Sequence, residues 1–234
     1  MTTKRALLPL LLSLTACEPT LFGSHEVTTL TPAADGFDRL DLSNEVDATV
    51  VQGSPRRVQI TINENLQHHL QVRVAGDRLA IGMDEGYDYQ NLVLDVRVTM
   101  PALTGLELSG AAQARLDGFE RVSVPHLGMT VSGASRLSGG VVADQLEIDL
   151  SGASEADLAG TTRELILAAS GASHAALDRL PATVAEVELS GASHAILWVD
   201  AEVHGEASGA SDVVVRGTAS MNISTSGASS VSRR

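Results

Sequence analysis

The sequence predicts an all-β chain wound as a parallel β-solenoid, and three observations carry that prediction. The word Ser-Gly-Ala-Ser occurs six times, starting at Ser132, Ser151, Ser170, Ser190, Ser208 and Ser226, with a near copy, Ser109-Gly110-Ala111-Ala112, ahead of them. Successive starting points lie 23, 19, 19, 20, 18 and 18 residues apart, the near-constant period of a chain built from stacked repeats. The flanks alternate apolar and polar residues, as in Leu146-Glu147-Ile148-Asp149-Leu150 and Val187-Glu188-Leu189. That is the period of a strand with one buried face. No window holds a sustained i, i+3, i+4, i+7 stripe, so the repeats are not helical.

Each repeat is expected to form one coil of two or three short strands, giving about seven coils over residues 109–234. The alternation resumes after each tetrad, except at Val213-Val214-Val215, which reads as buried on both faces. The tetrad then falls at a corner. Its glycine (Gly110, Gly133, Gly152, Gly171, Gly191, Gly209 and Gly227) supplies the backbone conformation that a sharp bend needs. Its alanine is expected inside the corner, and its serines bonded to the turn backbone. Coils stack about 4.8 Å apart, so like residues lie over like and the corner becomes a serine ladder. A ladder needs the same word in every coil.

Before the repeats, residues 37–108 hold short alternating runs such as "FDRLDLS", "VDATVVQG", "RRVQITIN" and "LVLDVRVTM", broken by Gly, Pro, Asn or Asp. They predict irregular first coils that cover the N-terminal edge of the solenoid, an edge that would otherwise recruit other strands. Ala75-Gly76-Asp77 reads as a hairpin turn, and Pro101 opens the passage into the repeats.

Composition fixes the kind of core and excludes some partners. The 234 residues are 44% hydrophobic but only 3% aromatic, so Val, Ile, Leu and Ala must fill the interior and no stacking platform for bases is available. A net charge of −13 excludes a nucleic-acid partner, which needs clustered Lys and Arg. The opening "MTTKRALLPLLLSLTACEPT" places Lys4 and Arg5 ahead of an apolar run, Ala6 to Leu14, too short to span a bilayer. Leu14-Thr15-Ala16-Cys17 resembles a bacterial lipobox, which implies a signal peptide at 1–16 and lipidation of Cys17, the only cysteine. Loss of Lys4 and Arg5 leaves 14 Arg against 29 acids, a net −15. Glu18 rather than Asp follows the cysteine, favouring an outer-membrane anchor. Residues 17–36, rich in Thr and Pro, read as the anchor and a flexible tether, and 37–234 as the solenoid body.

The sequence resembles the head GIN domain family, labelled "putative auto-transporter adhesin". The likeness covers about 37–234 and rests on "FDRLDLSNEVDATVVQG", "VTMPALTGLELSGA" and the serial "SGAS" words. It implies a right-handed β-helix-like solenoid on a secreted, lipid-anchored bacterial envelope protein, with no catalytic residues to carry over. The chain departs from the pattern at Ala112, where the closing serine is missing.

Stacking gathers like positions into columns, and these hold the candidate sites. No Gly-x-Ser-x-Gly elbow, P-loop, dinucleotide fingerprint or His-Glu-x-x-His motif occurs. The position after each tetrad forms a column containing Glu155, His174, His194 and Asp212, residue types that suit Zn²⁺ or Ni²⁺. The position two before each tetrad carries Glu107, Asp149, Glu188 and Glu206, interrupted by Thr130 and Ala168. It reads as a solubilising outer face or, more sharply, a Ca²⁺-binding surface. His68 and His69 fall in a loop or short helical turn, and Trp198 at an exposed alternating position. The reading is a non-enzymatic envelope lipoprotein, without cofactor, acting as a rigid surface, adhesion or scaffold module toward a polysaccharide or envelope protein. The alternatives are a metal-binding envelope protein using the histidine column, or a polysaccharide-active enzyme using Asp149 and Glu188, since β-helices present carboxylates on grooves.

Overall fold

The computed structural model describes residues 18–234, so the expected signal peptide and Cys17 lie outside the described residues. Nineteen strands and two 3-10 turns follow one another. They are β1 Thr20–Phe22, β2 Val27–Leu30, β3 Arg39–Leu42, β4 Asp47–Gln52, β5 Arg57–Asn63, β6 Leu70–Ala75, β7 Arg78–Met83, β8 Asp88–Gln90, β9 Leu94–Met100 and β10 Gly105–Leu108. Then come β11 Gln113–Asp117, β12 Ser123–Val131, β13 Arg136–Leu150, β14 Glu155–Ala169, β15 His174–Leu189, β16 His194–Ala207, β17 Asp212–Arg216, β18 Ser220–Thr225 and β19 Ser230–Arg233. The 3-10 turns are Glu64–His69 and Phe119–Arg121. From β10 onward every pairing is parallel. The chain is a β-solenoid of about seven turns.

In the central coils the two or three short strands expected per turn are joined into one, 14 to 16 residues long, in β13 to β16. The ladder shifts register after Asp157 between β14 and β15 and after Leu177 between β15 and β16, whereas between β13 and β14 it passes round the bend in register. In β13 the inward residues are Leu137, Val141 and Ala143, then Leu146, Ile148 and Leu150. The set changes from odd to even at Asp144-Gln145, where two successive residues face out.

The tetrad corner keeps the ladder intact. The alanine N–H of each word donates to the glycine carbonyl one coil back, from Ala134 to Gly110 through Ala228 to Gly209, at 2.7–2.8 Å. All seven tetrad glycines hold φ between 72 and 78°, a conformation that costs other L-residues about 1–2 kcal/mol. The alanine does not point inward as expected. Ala134, Ala153, Ala172, Ala192 and Ala210 are exposed, whereas the closing serines Ser135, Ser154, Ser173, Ser193 and Ser211 are buried. Three outward residues in a row turn the corner, and the fourth re-enters the core. Ser193, Ser211 and the half-buried Ser229 donate to the carbonyl of the first serine of their own word at 2.6–2.8 Å. The Ser173 and Ser193 hydroxyls meet at 3.3 Å, while those of Ser135 and Ser154 have no partner. Ala112, at this level in the first coil, is fully buried too.

The N-terminal section covers its end of the core, as expected, but not in chain order. β3 pairs with β7 on one side and β10 on the other. β4 likewise pairs with β9 and β11. The coil 39–52 is therefore sandwiched between residues 78–100 and 105–117. Antiparallel strands finish the cap: β5 on β9, β2 on β5, and β6 on β7. Leu66, from the first 3-10 turn, is buried within it. The stretch 18–36, expected as a flexible tether, supplies β1, paired with β8, and β2, paired with β5. Long-range partner strands override its Thr-rich composition.

Candidate functional site

The column after each tetrad is assembled in register. Asp95, Asp47, Gln113, Arg136, Glu155, His174, His194, Asp212 and Ser230 follow one another across nine strands. Its members pair along the column. Arg136 Nε lies 3.0 Å from Glu155 Oε2, and His194 Nδ1 3.2 Å from Asp212 Oδ2. Ser230 also hydrogen-bonds Asp212. The two imidazoles are stacked, centroids 5.1 Å apart and planes within 8°. Parallel rings at that separation hold like nitrogens about as far apart, whereas one ion with Zn–N bonds of about 2.0–2.1 Å spans at most about 4 Å. Stacked in this way, the rings do not share an ion. Among the described residues no three His, Cys, Asp or Glu side chains converge on a metal-sized point.

The acidic column is also in register, running Asp41, Glu107, Thr130, Asp149, Ala168, Glu188, Glu206 and Ser224. Arg78 closes its first end, 2.6 Å from Glu107 and 3.6 Å from Asp41. Burial, reinforced by the Glu107 charge, raises the Asp41 carboxyl above its ordinary value despite Arg78. Asp149 is raised by burial and then by Glu147. Ala168 opens a depression of about 460 Å³ lined by Asp149, Glu188, Glu206 and the first serines of four tetrads. Its lining is carboxylates, serine hydroxyls and aliphatic side chains, with no Arg, His or aromatic side chain.

One feature escaped sequence reading. A recess of about 750 Å³ lies where the second 3-10 turn, Phe119–Arg121, stands over a floor of Gly139, Gly140, Ala159 and Gly160. Its walls carry Arg115, Arg121 and Arg179, each held by a carboxylate: Asp117 at 3.0 Å, Glu120 at 3.6 Å and Asp157 at 2.5 Å. Donors and acceptors therefore balance around a floor of small residues. The sequence signal was the 23-residue first spacing, whose surplus forms the overhanging turn, and the glycines at 139, 140 and 160.

His69 ends the first 3-10 turn as expected, and packs at 4.9 Å from Tyr87 and 6.1 Å from Tyr89 in the cap. Its Nδ1 lies 3.3 Å from Asp84, whose carbonyl accepts the Tyr89 hydroxyl. Trp198 is exposed, with its indole N–H on Asp200.

The fold defines a capped, repeat-built β-solenoid with a continuous aliphatic core and surface columns in register. The chain belongs to the family described as "Putative auto-transporter adhesin, head GIN domain", whose profile matches residues 36–219. Its fold is similar to the crystal structure of a "putative adhesin" from Bacteroides fragilis, with a TM-score of 0.85 at 16% identity over 92% of this chain and 100% of that one. It is similar also to a "putative lipid binding protein" from Parabacteroides distasonis, with a TM-score of 0.71 at 15% identity over 92% and 99% of the two chains. A "putative adhesin" from Parabacteroides merdae gives 0.64 at 14% identity over the same shares. At these identities the likeness shows the fold. No curated protein matches the chain at a significant level.

Proposed function

We propose that this chain is a non-enzymatic lipoprotein of the bacterial cell envelope, anchored in the outer membrane through Cys17, that presents a rigid surface for adhesion or scaffolding. The observation that carries the reading is the pairing of a lipobox sequence with a family of adhesin-like modules. Ion pairs along the column after the tetrads, Arg136 with Glu155 and His194 with Asp212, support it. In this reading the recess between Arg115, Arg121 and Arg179 is the contact surface for an envelope polysaccharide or protein, because it offers donors and acceptors together on an unyielding floor. The test is proteinase accessibility on intact cells, with a periplasmic control protein. Digestion of the solenoid with the control intact is the result expected of an adhesion module. Protection until lysis would overturn adhesion and leave a periplasmic scaffold.

A further inference from the structure

We infer that the N-terminal cap rests directly on the lipid surface, with Phe22 and Tyr87 at the headgroup level, so that the solenoid stands on the membrane without a stalk. The inference rests on the reading of Cys17 as lipidated, and goes beyond it to name the surface that touches the bilayer.

Chain length is the first argument. β1 opens at Thr20, three residues after Cys17, so even a fully extended link places the first cap strand within about 11 Å of the anchored residue. β1 is not free to drift away, because Thr20, Leu21 and Phe22 are paired with Asp88, Tyr89 and Gln90 of β8. A flexible tether over 18–36 would have let the body float clear; the strands of the cap use that stretch up.

The second argument is where apolar side chains are left in water. Six large hydrophobic residues are exposed among the described residues, and four belong to the cap: Phe22, Val27, Val74 and Tyr87. Phe22 is the most exposed of all, at 63%. Phe22 closes β1 opposite Gln90, and Tyr87 immediately precedes β8, so both belong to the small β1–β8 sheet or its edge, the element joined most closely to the anchor. An aromatic ring with a polar tip, such as Tyr87, suits the boundary between headgroups and acyl chains. Acidic Glu26, Asp84, Glu85 and Asp88 lie within four residues of Phe22 or Tyr87 in the sequence, so the fitting surface is zwitterionic, since an anionic leaflet would repel these carboxylates.

Trp198 provides an internal control. The register series Arg97, Thr49, Arg115, Ser138, Asp157, Ala176, Ile196 puts its coil six steps from β9, about 29 Å along the stack at 4.8 Å per coil. The experiment uses the full chain purified from membranes and reconstituted in phosphatidylcholine vesicles containing brominated lipid. The parent protein reports at Trp198, and the Phe22→Trp, Trp198→Phe variant reports at the cap. A second variant, Tyr87→Trp with Trp198→Phe, guards against a local effect at position 22.

The expected result is blue-shifted emission, quenched at least twofold by brominated lipid, from both cap indoles, with Trp198 unaffected. If the protein is lipidated by mass and floats with the vesicles, yet the cap indoles respond like Trp198, the cap contact is wrong while the anchor stands. If the protein carries no lipid, the anchor and the contact fall together.

Discussion

The tetrad glycines should be set by the coil beneath them and not only by their own backbone angles, and two substitutions separate these causes. Gly36 and Gly191 have nearly the same φ, 76 and 73°. A Cβ added at Gly36 meets nothing within 4 Å, whereas at Gly191 it lies 2.5 Å from the Gly171 carbonyl oxygen and 3.0 Å from its nitrogen. Gly36→Ala therefore costs the left-handed conformation alone, about 1–2 kcal/mol. Gly191→Ala adds a clash with backbone that cannot rotate away. Moving Gly171 also strains its 2.7 Å bond from Ala192 N–H. Overpacking of this kind costs a further 1–3 kcal/mol or so, giving a total of about 2–5 kcal/mol. The assay is urea unfolding followed by far-UV circular dichroism and by Trp198 fluorescence, because stacked repeats can lose two-state behaviour and the two probes must agree. Equal destabilisation by the two substitutions, within about 0.5 kcal/mol, would refute stacking as the reason for the repeated glycine.

Leu150 and Leu189 are each 2% exposed, so Leu150→Asp or Leu189→Asp should destabilise by about 4 kcal/mol or more; a cooperative melt near the parent temperature would contradict the inward assignment. Ser154→Ala should be neutral or stabilising, because its buried hydroxyl has no partner and desolvation is then uncompensated. Ser193→Ala should cost about 1 kcal/mol by losing its bonds to Ser190 and Ser173, and the reverse order in urea midpoints would sink this account of the internal ladder. The Asp149 carboxyl is raised above 3.8, so the folded state holds its proton more tightly than the unfolded one. Its contribution is full below 3.8 and is lost as pH rises through the folded value. Asp149→Asn should therefore flatten the stability profile just above pH 3.8 and gain at neutral pH, which urea midpoints from pH 3.5 to 7 would check; an unaltered profile would contradict it.

The repeats were legible because each coil writes its own corner. Period, strand face and register of the columns through Glu155 and Asp149 all follow from spacing alone. Which tetrad residue enters the core did not follow, since alanine and serine are similar in size. Hydropathy favours alanine inside, but the geometry of three outward residues puts Ser154 and its equivalents there. The cap was legible as strands but not in its order, because β3 lies between partners from residues 78 and 105 onward, and nothing local encodes such pairings. The recess depends on one overhanging turn meeting glycines of the next two coils, a coincidence of stacking that only coordinates reveal. Similarly, the column with the alternative metal reading is in register as spacing implies, while the stacking of His174 on His194 is a rotamer outcome outside the reach of spacing.

The envelope anchor is tested most directly by the intact mass of the protein purified from the membrane fraction of cells expressing the full chain, beside a Cys17→Ser variant. The mass of the chain from Cys17 onward plus acyl groups, absent from a variant that leaves the membrane fraction, is the result predicted. An unmodified polypeptide, or a variant retained in the membrane as firmly as the parent, would contradict it.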